Sequence, residues 1–274
     1  MSMNFNRPPI GFGPGSQPGA EDGAELDYMP MPSGMRAFEA RIPEIADPAA
    51  IQPTLALLRA AAEACDQCAA DGRVRRLSLE SLDAVNRRVL AETLGEGEVA
   101  AIIEGDDAVE AQESVFAGVW RIREGGDERL EVGPAPSAAL SREGGSIQEV
   151  EAAPGVVNAP AIVTELIDAA ERRKSGEEAH VVNLTLLPHT PQDLAHLDAA
   201  LGRGPVTILS RGYGNCRIEQ GARADLWRVR FYNSQDALIL DTIEICELPA
   251  VASAATEDLS DSAVRLREVA EAMS

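Results

Sequence analysis

The sequence predicts an α+β fold: two tandem, similar helix–strand–helix–strand–strand domains, preceded by a flexible arm and closed by a C-terminal helix. Three observations carry that expectation. Segments recur at one offset: VRRLSL at 74–79 against VVNLTL at 181–186, LGEGEVAAII at 94–103 against LGRGPVTILS at 201–210, and WRIR at 120–123 against WRVR at 227–230, each pair 107 positions apart. Within each copy, apolar residues switch between the 3–4 spacing of a helix and the alternation of a strand. The composition, 45% apolar and 25% charged, is that of a globular chain, and 274 residues suffice to bury a core in each domain.

The elements follow in order. Residues 1–34 form the arm, because the six Gly and six Pro within 7–34 leave no packed element. At its end Tyr28, Met29 and Met31 are expected to dock either on the protein's own core or, as candidate partner contacts, on another protein, methionine being flexible and polarizable. The first domain, 35–133, opens with a helix from Pro53 to about Gly72, striped by Leu55, Leu58, Ala62, Cys65 and Ala69. A strand at 73–79, a helix at 82–94 and strands at 98–103 and 115–123 complete it. Residues 134–155, rich in Gly, Pro, Ala and Ser, read as a linker. The second domain, 156–274, repeats the plan with a helix at 160–174, a strand at 180–186, a helix at 191–201 and strands at 205–210, 226–233 and 237–246. Thr256 is expected to cap the last helix, with Glu257 and Asp258 in its first turn. Its stripe of Leu259, Ala263, Leu266, Ala270 and Met273 is expected to pack on the second domain.

A net charge of −21 excludes nucleic acid and anionic membrane surfaces as natural partners and favours basic ones. The start, MSMNFNRPPIGFGPG, lacks the basic-then-apolar pattern of a secretory signal, and no run is long enough to insert in a bilayer. Four cysteines make no disulfide framework. A cytoplasmic protein is expected.

The candidate chemistry is sparse. Cys65 and Cys68 have redox-like spacing but fall near a helix end on its apolar face, which reads as packing. His189, Asp193 and His196 share a helical spacing, yet Thr190-Pro191-Gln192-Asp193 is a helix start that gives Asp193 a capping role. No nucleophile elbow, phosphate loop or metal motif is present, so neither a cofactor, a metal nor an enzymatic activity is expected. The segment SRGYGNCR at 210–217 stands out. It overlays the acidic IEGDDAVE at 103–110, Gly212 falling on Gly105. Arg211, Tyr213, Asn215, Cys216 and Arg217 are side chains suited to anchor a protein contact, so a recognition loop at the edge of the second domain is expected. The flanking arginines would favour a Cys216 thiolate, but no adjacent histidine offers a base.

The stretches GRGPVTILSRGYGNCRI, WRVRFYNSQDALILDTIEICELP and EDLSDSAVRLREV, with GPGSQP, YMPMPSGM and QESVFAGVWRIR, resemble the HupH/HyaF family of hydrogenase expression/formation proteins. The resemblance covers nearly the whole chain. It implies a cytoplasmic maturation chaperone for an uptake [NiFe] hydrogenase. The implied partners are the small-subunit precursor, with its iron–sulfur clusters and twin-arginine signal, and a thioredoxin-like companion protein. The alternative is thiol-redox or metal handling through Cys216 with Cys246 or the Cys65/Cys68 pair.

Overall fold

In the computed structural model the described residues are 47–140, 144–174, 176–211 and 215–274; the arm with Tyr28, Met29 and Met31, and Tyr213 of the loop, lie outside them. The N-terminal half runs α1 (Gln52–Asp71), β1 (Arg75–Ser78), α2 (Ala84–Leu94), β2 (Val99–Ile103), β3 (Val109–Glu113), β4 (Val119–Glu124) and β5 (Asp127–Val132). The C-terminal half runs α3 (Ala159–Arg172), β6 (His180–Asn183), α4 (Pro191–Leu201), β7 (Val206–Ser210), β8 (Asn215–Gln220), β9 (Leu226–Tyr232), β10 (Leu238–Ile245) and α5 (Thr256–Ala272). The mixture of helix and antiparallel sheet is the expected α+β class.

The strands form one ten-stranded sheet in the order β1-β5-β4-β3-β2-β7-β8-β9-β10-β6. Read outward from the centre, both halves have the same order. They do not close into two separate sheets, because β2 and β7 pair antiparallel across the middle, with Val99 opposite Ser210, Ala101 opposite Ile208 and Ile103 opposite Val206. That register is symmetric under the 107-residue offset: Ala101 faces its own counterpart, Ile208. The backbone repeats the symmetry beyond the ladder, where the Glu104 N–H donates to Pro205 O at 2.9 Å and the Arg211 N–H to Glu98 O at 3.0 Å.

Local detail also recurs. Asp83 and Thr190 cap α2 and α4 with their side chains, and Gly95 and Gly202 end them at φ 56° and 61°, a region open to glycine without strain. In α2, Asn86 ties down the start of α1, its Oδ1 accepting from the Thr54 N–H at 3.2 Å and hydroxyl at 2.7 Å. In α4, Asp193 accepts from the backbone N–H groups of Val157, Asn158 and Ala159 at 2.7–3.0 Å, at the start of α3. Its second oxygen takes the Thr190 N–H and hydroxyl. The capping role expected of Asp193 is observed.

Helices cover one face of the sheet at its two ends. Over β4 and β5, Leu55, Leu58 and Cys65 of α1 pack with Val119, Leu130 and Val132; over β6 and β10, Ile162 and Leu166 of α3 and Leu197 of α4 pack with Val182, Ile243 and Ile245. The opposite face holds Trp120, Ile122, Ile208, Ile218 and Trp227 under the short 3-10 turns at Ser137–Leu140 and Ala250–Ala252.

Four expectations are corrected. Each half has four strands after its second helix, where two were expected in the first half and three in the second: β3, β5 and β8 were not foreseen, and β4 begins at Val119 rather than 115. The strand at 180–186 ends at Asn183, and Leu184–Leu186 form a 3-10 turn. Ala255, not Thr256, occupies the N-cap, and the Asp258 carboxylate accepts its N–H at 3.1 Å. The stripe of α5 is as read, but it packs on α1 of the N-terminal half, in the cluster of Leu55, Leu58, Cys65 and Cys68. An apolar stripe specifies that a helix is buried, not against which neighbour.

Candidate functional site

The connection 211–214 joins β7 to β8, so the loop sits at the end of a central hairpin rather than at the edge of a separate domain. Antiparallel pairing across the middle sends its counterpart, the β2–β3 connection, to the other end of the same ladder. There Glu104 pairs with Arg203 at 2.9 Å. At the loop's own end Arg211 is exposed, its backbone held by Glu98. Asn215 is exposed and its amide reaches the Asp236 carboxylate at 3.5 Å. Arg217 faces outward and pairs with Glu219 at 2.8 Å. Glu98 and Asp236, which hold the two ends of the segment, escaped the sequence reading because each is brought in by strand pairing and neither is near in the chain.

Strand alternation separates Cys216 from these neighbours. It is 3% exposed and packs with Ile218, Trp227 and Val229 on the buried face. Burial first, and the Glu244 carboxylate second, push its thiol up to about 11. At neutral pH it is a protonated packing group, whereas nucleophilic and metal-binding cysteines work as thiolates. The loop therefore presents Arg211, Asn215 and Arg217 to solvent and withholds Cys216.

The other thiols are similarly placed. Cys65 and Cys68 line the α1–α5 contact, and burial raises both, Cys65 to about 12. Cys246 is raised to about 12, again by burial first. All four are free. Cys216 lies opposite Phe231, whose partner on β10 is Leu240. From Leu240 to Cys246 is six residues of chain, about 20 Å when extended, whereas a disulfide needs Cα atoms within about 7 Å. Cys65 and Cys68 belong to a different core cluster from Cys216. Among the described residues no three His, Cys, Asp or Glu side chains are grouped to hold a metal ion.

The chain is 53% identical, over the full length of both, to the hydrogenase expression/formation protein HupH of Rhodobacter capsulatus. It belongs to the HupH/HyaF family. Residues 156–273 match the family model described as the HupH hydrogenase expression protein, C-terminal conserved region. The hydrogenase expression/formation protein HoxQ of Cupriavidus necator is 46% identical over 97% of each chain. The hydrogenase-1 operon protein HyaF of Escherichia coli is 33% identical, covering 72% of this chain and 73% of its own. The C-terminal conserved region of the HupH/HyaF family thus begins just before α3 and takes in the hairpin loop and α5. No helix among the described residues is long and apolar enough to cross a membrane.

Proposed function

We propose that this protein is a cytoplasmic maturation chaperone of an uptake [NiFe] hydrogenase. It binds the immature iron–sulfur small subunit before export, beside a thioredoxin-like companion, and uses Arg211, Tyr213, Asn215 and Arg217 as contacts. The observation that carries the reading is full-length similarity to a hydrogenase expression/formation protein. The exposed Arg211 and Arg217, the latter paired with Glu219, support a binding role, and the buried, protonated thiols support one without covalent chemistry. Capture of the twin-arginine precursor before its clusters are complete would make the protein a quality-control step. We further read the two halves as copies of one unit, on the strength of their shared strand order and the symmetric β2·β7 register.

The test is a titration of the purified full chain with the small-subunit precursor, and with the large subunit as control. Saturable binding of the precursor alone is expected. Equal binding of both subunits, or of neither, would overturn the reading.

A further inference from the structure

The helix-bearing face of the sheet is bare at its centre. Arg87 of α2 approaches Glu128 of β5 at 3.8 Å, and Asp198 of α4 meets Arg228 of β9. Between them, among the described residues, no helix covers β3, β2, β7 and β8. Two cross-strand rows form this floor. One runs Arg121, Gln112, Ala100, Leu209, Arg217, Arg230; the next runs Arg123, Glu110, Ile102, Thr207, Glu219, Arg228. Ile102 and Leu209, counterparts under the 107 offset, sit at the middle and are 50% and 41% exposed. An apolar centre ringed by charged side chains is the layout of a protein-binding surface.

We propose that this floor is a docking groove for one cationic amphipathic helix of a partner protein. Three features select that occupant. Four strands at about 4.8 Å spacing give a floor roughly 15–20 Å wide, and a helix with its side chains is about 10–12 Å across. One helix fits and two do not. Most polar groups of the floor are already engaged, Arg121 with Glu128, Arg123 with Glu110, Arg217 and Arg230 with Glu219, and Arg228 with Asp241, while the Arg230 Nε has no hydrogen-bond partner among the described residues. An extended segment laid on this face would find few free partners for its backbone, whereas a helix satisfies its own. An anionic ligand would meet guanidinium groups already paired with carboxylates, Arg217 and Arg230 sharing Glu219, and 45 acidic against 24 basic residues set a field that draws cations. The groove goes beyond the maturation role and does not depend on which protein supplies the helix.

The experiment uses the full chain and three labelled synthetic 18-residue peptides: Leu and Lys in a helical stripe, the same composition scrambled, and the same stripe with Glu for Lys. Fluorescence anisotropy should show saturable binding of the Leu/Lys stripe, at least about tenfold tighter than of either control, with helix induction by circular dichroism. The double variant Ile102→Thr/Leu209→Thr, which keeps strand-forming residues, should lose about tenfold or more with an unchanged melting curve. Ile102→Glu/Leu209→Glu should lose at least as much. Equal binding of the striped and scrambled peptides, or undiminished binding by a folded Thr variant, overturns the proposal. So does a dimer of the wild-type chain that the Thr variant dissolves, which would make a second copy the occupant.

Discussion

Glu113 is a buried carboxylate whose protonation bears on the fold. It closes β3. Its carboxylate accepts the Gly118 N–H at 2.9 Å, and desolvation first, then Glu98 and Asp258, raise it to about 7 despite that bond. The counterpart at the 107 offset is Gln220, an amide that carries no charge to desolvate. An acid raised in the folded state binds its proton more tightly there than in the unfolded chain. Its contribution is therefore full below the unfolded value near 4.3 and is lost as pH rises towards 7. Glu113→Gln should then stabilise the protein at pH 8, by up to about 3 kcal/mol at 1.36 kcal/mol per unit. The gain should vanish near pH 4. Urea titrations at the two pH values check this; a gain that is the same at both would contradict it.

At the scale of elements, the sequence made the five helices legible and the sheet only partly so. Both helix starts with a side-chain cap, at Asp83 and Thr190, and the αL glycine after α1 are local signals. The missed strands carry weak ones. Strand β5 follows Gly125-Gly126 and begins with three charged residues, so it reads as a turn. In β3, VEAQE, one face is polar because it lies in the uncovered centre of the sheet. Strand β8, NCRIEQ, alternates correctly, but its first residues read as part of the glycine loop, which hid the inward direction of Cys216. The loop's residue types were visible, and its place at the centre of the sheet was not, since that depends on β2 finding β7 across more than a hundred residues. The partner of α5 was hidden for the same reason. Its contact with α1 buries Leu266 completely and adds an ion pair between Arg267 and Asp66. Leu266→Ala should cost about 2–5 kcal/mol in urea unfolding. A cost below about 1 kcal/mol would mean that α5 is peripheral.

For the whole molecule, the central question is what the symmetric β2·β7 join implies. Residues 156–274 produced alone would leave β7 as a bare edge strand, and such edges pair with other chains. The register that places Ala101 opposite Ile208 also allows Ile208 to face Ile208 of a second copy. The isolated half is expected to dimerise through β7, and Ile208→Lys should block it; a monomer at high concentration by sedimentation would count against the reading. The full chain, with one continuous sheet and α5 bridging its halves, should unfold in a single transition. Its proposed action is likewise one of binding, with the hairpin loop and not a thiol as the working part. The most direct measurement is hydrogenase activity in a deletion strain carrying Arg211→Ala/Tyr213→Ala or Cys216→Ala. The account predicts that the first loses most activity, since two lost anchors weaken capture by about 2 kcal/mol or more, and that the second retains most of it. Activity kept by the first and abolished in a folded second variant would contradict the account.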